Sequence, residues 1–238
     1  MKSESQYQVQ SNLLDRMRQV RELCEKAMEI RHKHYPTLNL WSWACMRIFD
    51  IGSEERENAA IQAITGFADC VRLDLNCSYF DLLQMTSILF RSTSFPNVFD
   101  KVYPKIHDIE IKRYLKIIPQ LIMYKRTHSK SHRKFILSIL SQILQTYPNA
   151  VIFPLLFVRH YVAGNLVINN NDHTKDDDKD ICAILDEFKL TNKAFYNAAE
   201  NLSYGLQDAC FTFSEFLYEG INNIHRDAKL QNISNLLS

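Results

Sequence analysis

Three short stretches of this 238-residue chain hold residue types that could do chemistry. "HSKSH" (128–132) places His128 and His132 four apart, a spacing that puts two imidazoles on one helical face. A zinc hydrolase helix also needs an intervening glutamate and a third ligand, and here Ser and Lys fill the gap. The stretch reads as a turn between helices. "DHTKDDDKD" (172–180) is rich in carboxylates, but it lacks the glycine and closing glutamate of a calcium loop and reads as solvated. "KRTHSKSHRK" (125–134) gathers five Lys/Arg and two His in ten residues. An anion or an acidic partner could use it, but without interleaved aromatics it reads as a charged turn.

Phosphate chemistry needs glycines that let backbone N–H groups approach the ligand. The five glycines stand at 52, 66, 164, 205 and 220, too dispersed for such a loop. The kinase catalytic-loop and metal-binding signatures and the nucleophile elbow do not occur. No catalytic, cofactor-binding or metal-ligating residue is therefore assigned. The formal net charge of +1 gives no bulk attraction to nucleic acid or to an anionic membrane.

The elements behind these stretches are helical. Between 8 and 33, apolar residues recur at Leu13, Leu14, Met17, Val20, Leu23, Cys24 and Ala27, an amphipathic helix that Pro36 should end. Further helices are expected at 38–51, 54–73, 78–91, 96–103, 109–126, 131–146, 148–163 and 180–225, with a short last one from Ala228. Ser78 and Asp81 fit a capping box, Ser94 fits an N-cap, and Pro96 and Pro148 fit first-turn prolines. Trp41 and Trp43 read as core. Pro119 and Pro154 fall inside apolar runs, where a proline kinks or divides a helix. No β-alternation appears. The fold class expected is all-α, an α-solenoid of degenerate helical hairpin repeats of tetratricopeptide or HEAT type.

The domain reading follows. Residues 1–37 hold the N-terminal helix of the array, and 38–167 hold the helical repeats. Residues 168–180 form a flexible Asn/Asp-rich loop, and 181–238 carry the final helices. The start of the chain is polar, and the longest clean apolar run, Ala150–Val158, is far short of the roughly 20 residues of a membrane helix. The six cysteines form no C-x-x-C pair and read as buried thiols. A soluble, cytoplasmic protein is expected.

Six segments in collinear order carry a resemblance. "YLKIIPQLI" (114–122) followed by "YPNAVIFPL" (147–155) resembles W-L-Q-V-I-P-Q-L-I and H-P-Q-A-L-I-Y-P-L. These belong to the FAT domain of phosphatidylinositol-3-kinase-related protein kinases, in the target-of-rapamycin branch. "WACM" (43–46), "AITGFADCVRL" (63–73) and "FDLLQMTSILFRSTSFPNV" (80–98) are similar to neighbouring family segments in the same order. "FSEFLYEGI" (213–221) looks like W-H-E-M-W-H-E-G-L of the rapamycin-binding region. Glu215, Glu219 and Gly220 match it, while Phe213, Phe216 and Ile221 keep apolar character.

The resemblance covers about residues 40–225. It implies a helical clamp around the kinase domain of a parent serine/threonine protein kinase, with the other repeats of that parent and the subunits of a nutrient-sensing complex as partners. ATP and Mg are implied only for the kinase domain, which this chain does not contain. A fragment or a truncated paralogue fits that resemblance; the alternative is a stand-alone helical-repeat interaction module. Where the family has a small serine that admits the drug–immunophilin complex, this chain has His225, so rapamycin binding is expected to be weak or absent. Some relatives bind inositol hexakisphosphate through a basic pocket; "GSEERE" (52–57) stands here in place of a basic stretch and argues against that ligand.

Overall fold

The computed structural model describes residues 2–52, 54–73, 79–124, 129–168 and 175–206. Among them every regular element is helical. Helices α1 (Lys2–Ile30), α2 (Tyr35–Ile51), α3 (Arg56–Leu73), α4 (Tyr79–Arg91) and α5 (Pro96–His107) come first. A 3-10 helix (Ile111–Ile117) then leads into α6 (Ile118–Tyr124), α7 (Lys130–Thr146), α8 (Pro148–Ile168) and α9 (Lys175–Thr191). A further helical stretch covers 193–206. The chain divides into two compact units, Met1–Val151 and Ile152–Ser238.

In the larger unit the first four helices pack in chain order: α1 on α2, α2 on α3, α3 on α4. Helix α3 also receives α5, and α7 packs on α6 and the 3-10 helix. This is the all-α stacking of degenerate helical hairpins expected of an α-solenoid, with connectors of a few residues and a continuous apolar seam. The seam is densest at α3, where Ala59, Ala60, Ala63, Ile64, Phe67, Ala68, Cys70 and Val71 are all fully buried.

Small residues on α3 let α2 come close. Gly66 faces α2 so tightly that an added Cβ would sit 2.1 Å from Ser42 Oγ and 2.8 Å from a Trp41 ring carbon. Ser42 cannot readily swing away, because its buried hydroxyl donates to the Leu38 carbonyl at 2.7 Å. Gly52 has a different reason for being glycine: it closes α2 in the left-handed region at φ 84°, which a Cβ disfavours.

Prolines open helices here more often than they end them. Pro36 lies in the first turn of α2, and Pro96 in that of α5, where a missing N–H removes no bond. Pro36 therefore starts the second helix instead of stopping the first. Phe95, not Ser94, is the N-cap of α5, in extended conformation and without a side-chain cap bond. Pro119 stands at the second residue of α6, where the 3-10 helix gives way to α-helix, and its neighbours Ile118 and Leu121 are buried. The helix expected over 109–126 is thus divided at its proline. Pro154 lies inside α8.

In the second unit, α9 begins at Lys175, so the loop expected to reach 180 is already helical there; residues 169–174 lie outside the described set. The helix expected from 180 to 225 breaks at Asn192, whose N–H donates to Phe188 O and whose carbonyl accepts from Tyr196 N–H. Ile181, Leu185, Phe188 and Tyr196 are buried, and Arg159 ties α8 to α9 through Asp186 at 2.7 Å.

The close approach at Gly66 gives a direct test. Gly66→Ala should lower stability in urea unfolding by about 1–3 kcal/mol, because the clash with Ser42 and Trp41 outweighs the gain in helix propensity that alanine brings. Adding Ser42→Ala should recover part of the loss. An unchanged midpoint for Gly66→Ala would show that α2 and α3 are not in tight contact.

Candidate functional site

The residues singled out by their chemistry fall in three places. Phe213, Glu215, Phe216, Glu219, Gly220, Ile221 and His225 lie outside the described residues, as do His128 and residues 172–174. Among the described residues, no group of three or more His, Cys, Asp or Glu converges to hold a metal ion. No described helix is long and apolar enough to cross a membrane. The features that remain are buried polar groups and two clefts in the larger unit.

Over residues 129–134, His132 corrects the reading of 125–134 as a solvated turn; residues 125–128 lie outside the described set. Helix α7 starts at Lys130, Ser129 is its N-cap, and His132 is buried at 3% exposure. Its Nε2 lies 3.1 Å from the Leu89 carbonyl and its Nδ1 lies 2.6 Å from Ser129 Oγ. A carbonyl only accepts, so Nε2 carries the proton and the neutral ring accepts at Nδ1 from the serine hydroxyl. Phe99 and Phe90 pack against the imidazole at 4.6 and 5.7 Å between centroids. Burial pushes the His132 pKa below its ordinary value, only partly opposed by the Leu89 carbonyl.

Asp81 is the second buried polar group. It is 2% exposed and accepts from Tyr35 Oη and Asn39 Nδ2, both at 2.7 Å. Its carboxylate thus ties α4 to α2; Ser78, its expected capping partner, lies outside the described residues. Tyr114, on the 3-10 helix, is buried and donates to the Ile106 carbonyl near the end of α5 at 3.0 Å. Burial raises its pKa. Cys45 and Cys70 are buried thiols, each pushed up to about 12 by burial, and so are unreactive. Neither tryptophan is a full core residue. Trp41 is half-buried and donates to Glu25 on α1 at 3.0 Å; Trp43 is exposed at 36% and meets Phe67 edge-on.

The first cleft lies between α5 and α7 over the 3-10 helix, with a cavity volume of about 400 Å³. Phe99, Ile106, Phe135 and Ile139 give it an apolar floor; Tyr103, His107 and Lys134 also line it. The second, about 630 Å³, is bordered by Met28, His32, Lys33, Arg72 and Lys105. Asp69 stands among these cations, 2.7 Å from Arg72 and 3.6 Å from Lys105, so the local charge is partly cancelled. Arg72 also donates to the Lys105 carbonyl. The acidic stretch at 52–57 is engaged elsewhere: Glu55 pairs with Arg21 at 3.0 Å and Arg18 at 2.7 Å, joining the residue just before α3 to α1. The hydrogen bond from Arg21, then that from Arg18, holds its pKa below the usual carboxylate range against the opposing effect of burial.

No family model matches the chain. Similarity to whole proteins is nonetheless present. The chain is 23% identical over 166 residues to the serine/threonine-protein kinase TOR2 of Saccharomyces cerevisiae, a match that covers 70% of this chain and 6% of that protein. It is 29% identical over 96 residues to the serine/threonine-protein kinase mTor of Drosophila melanogaster, covering 40% of this chain and 4% of that protein. Part of the chain is thus similar to TOR kinases, and the chain spans a small fraction of their length.

The His132 geometry predicts a pH dependence. The folded state favours the neutral ring, so its stabilisation is fully present above the unfolded-state pKa near 6.5 and is lost as pH falls below that value toward the folded-state pKa. His132→Gln should flatten the loss of stability in urea unfolding between about pH 7 and 5. Separately, Tyr114→Phe should cost about 1 kcal/mol by removing the buried hydrogen bond from its hydroxyl to the Ile106 carbonyl. A variant as stable as the parent would mean that this bond contributes nothing.

Proposed function

We propose that this chain is a non-catalytic FAT-type scaffold segment of a target-of-rapamycin-like serine/threonine protein kinase. In that role its helices pack around the kinase domain, hold it in position, and present surfaces for partner subunits in nutrient and growth signalling. The observation that carries this reading is the similarity to two TOR-type kinases, reaching 70% of this chain in one case. The kind of residue involved supports it. Of the positions that bear the resemblance to the FAT segments, Ala63, Gly66, Phe67, Ile118, Leu121, Ile152 and Leu155 are buried, while Pro119 and Ala150 are exposed. A likeness that includes these packing positions is what a scaffold would retain.

ATP and Mg chemistry belongs, on this reading, to the kinase domain of the parent protein, and no residue described here is assigned to it. A cytoplasmic location follows from the same reading. Sequencing the transcript that carries this chain tests it. The expected result is one reading frame that also encodes a kinase catalytic loop and a terminal FATC segment. A frame that closes without them, yielding a stable product that does not associate with any kinase, would instead establish a stand-alone interaction module.

The same reading has a pharmacological consequence. With His225 at the position of the small serine, a protein carrying the complete rapamycin-binding region should give no drug-dependent pull-down with an immunophilin. Recovery of the immunophilin only when rapamycin is added would overturn this.

A further inference from the structure

We infer that the cleft between α5 and α7 is a docking groove for an amphipathic helical segment of a partner protein that carries carboxylates beside its apolar anchors. The α7 wall has two registers. Phe135 and Ile139 are buried in the floor, while Ser131, Lys134, Ser138 and Gln142 form an exposed polar rim. From Ser131 to Gln142 the rim runs about 16 Å at 1.5 Å per residue, which matches an occupant of about three turns. The opposite wall is the Phe99–Tyr103–Ile106 face of α5, at helical spacing, with Tyr103 still 40% exposed. A cavity of about 400 Å³ with an apolar floor is large enough to seat anchoring side chains and not merely water.

Charge selects the occupant. The ionisable side chains on the lining are Lys134, His107 and the two tyrosines Tyr103 and Tyr114; no carboxylate lines the cleft. Asp108 and Glu110 flank lining residues Ile109 and Ile111 but do not line it themselves. Helix α7 contains no Asp or Glu along its whole length, and its first turns carry Lys130, Arg133 and Lys134. The positive end of the helix dipole adds to that field. A basic partner would meet like charge at Lys134, whereas an acidic one would pair there as it buries its anchors.

The inference does not depend on the kinase reading, since it rests on the groove alone. Lys134 and Ser138 are exposed, so substitutions there leave the core intact. A displayed library of helical peptides of about eleven residues would be selected on the full chain. The expected pool is enriched in Asp and Glu beside apolar residues spaced three and four apart. Binding of a selected peptide should weaken with added salt and fall at least tenfold for both Lys134→Glu and Ser138→Trp. The peptide with its acids exchanged for lysine should regain binding on Lys134→Glu. A pool without charge bias, binding that survives Ser138→Trp, or a failure to select any helix would each overturn the inference. So would occupation by dodecanoate that the selected peptide cannot displace.

Discussion

The larger unit depends on how closely α2 and α3 approach. That distance is set by the absence of a side chain at Gly66 against Ser42 and Trp41. With four alanines and a glycine among the buried residues of α3, the two backbones come near enough for many small dispersion contacts to accumulate. Helix α3 can then serve as the post on which α4 and α5 are also laid. A larger residue on this face would displace everything stacked beyond it, because cores packed at crystal-like density transmit strain instead of absorbing it.

Apolar contact alone is poorly directional, and stacked helices can slide. Buried polar groups supply the missing direction in this chain. Asp81 reaches Tyr35 and Asn39 on α2, His132 reaches the end of α4, and Tyr114 reaches the end of α5. Each of these bonds spans two elements, and each would leave a desolvated partner behind if its helix slipped by one turn. Arginines do related work at helix ends, where Arg113 donates to the Val71 carbonyl at 2.6 Å at the close of α3.

Periodicity made the helices legible because one apolar face per helix is a local property of the sequence. The role of Pro119 as a break was legible for the same reason: proline acts on its own turn. What the sequence concealed were the long-range bonds. His132 sits among Lys and Arg, so its neighbours announce a solvated turn, and only the Leu89 carbonyl 43 residues away reveals its burial. Asp81 looks like a capping residue until Tyr35 and Asn39 are placed beside it. The cleft between α5 and α7 was hidden likewise, since its walls come from helices that each look ordinary alone. The start of α9 was misjudged because Asp-rich composition signals solvation without saying whether the solvated backbone is helical.

The 3-10 helix ahead of Pro119 has a geometric consequence for the stack. Seven residues of 3-10 helix advance about 14 Å, where the same residues in α-helix would advance about 10.5 Å. They also turn by about 120° per residue instead of about 100°, so α6 emerges about 140° out of phase with a continuous α-helix. This short stretch is therefore a gear between α5 and α7: it lengthens the connection and re-aims the helix that follows. A single inserted residue there would rotate α6 by about a third of a turn and point Leu121 away from the seam it now fills.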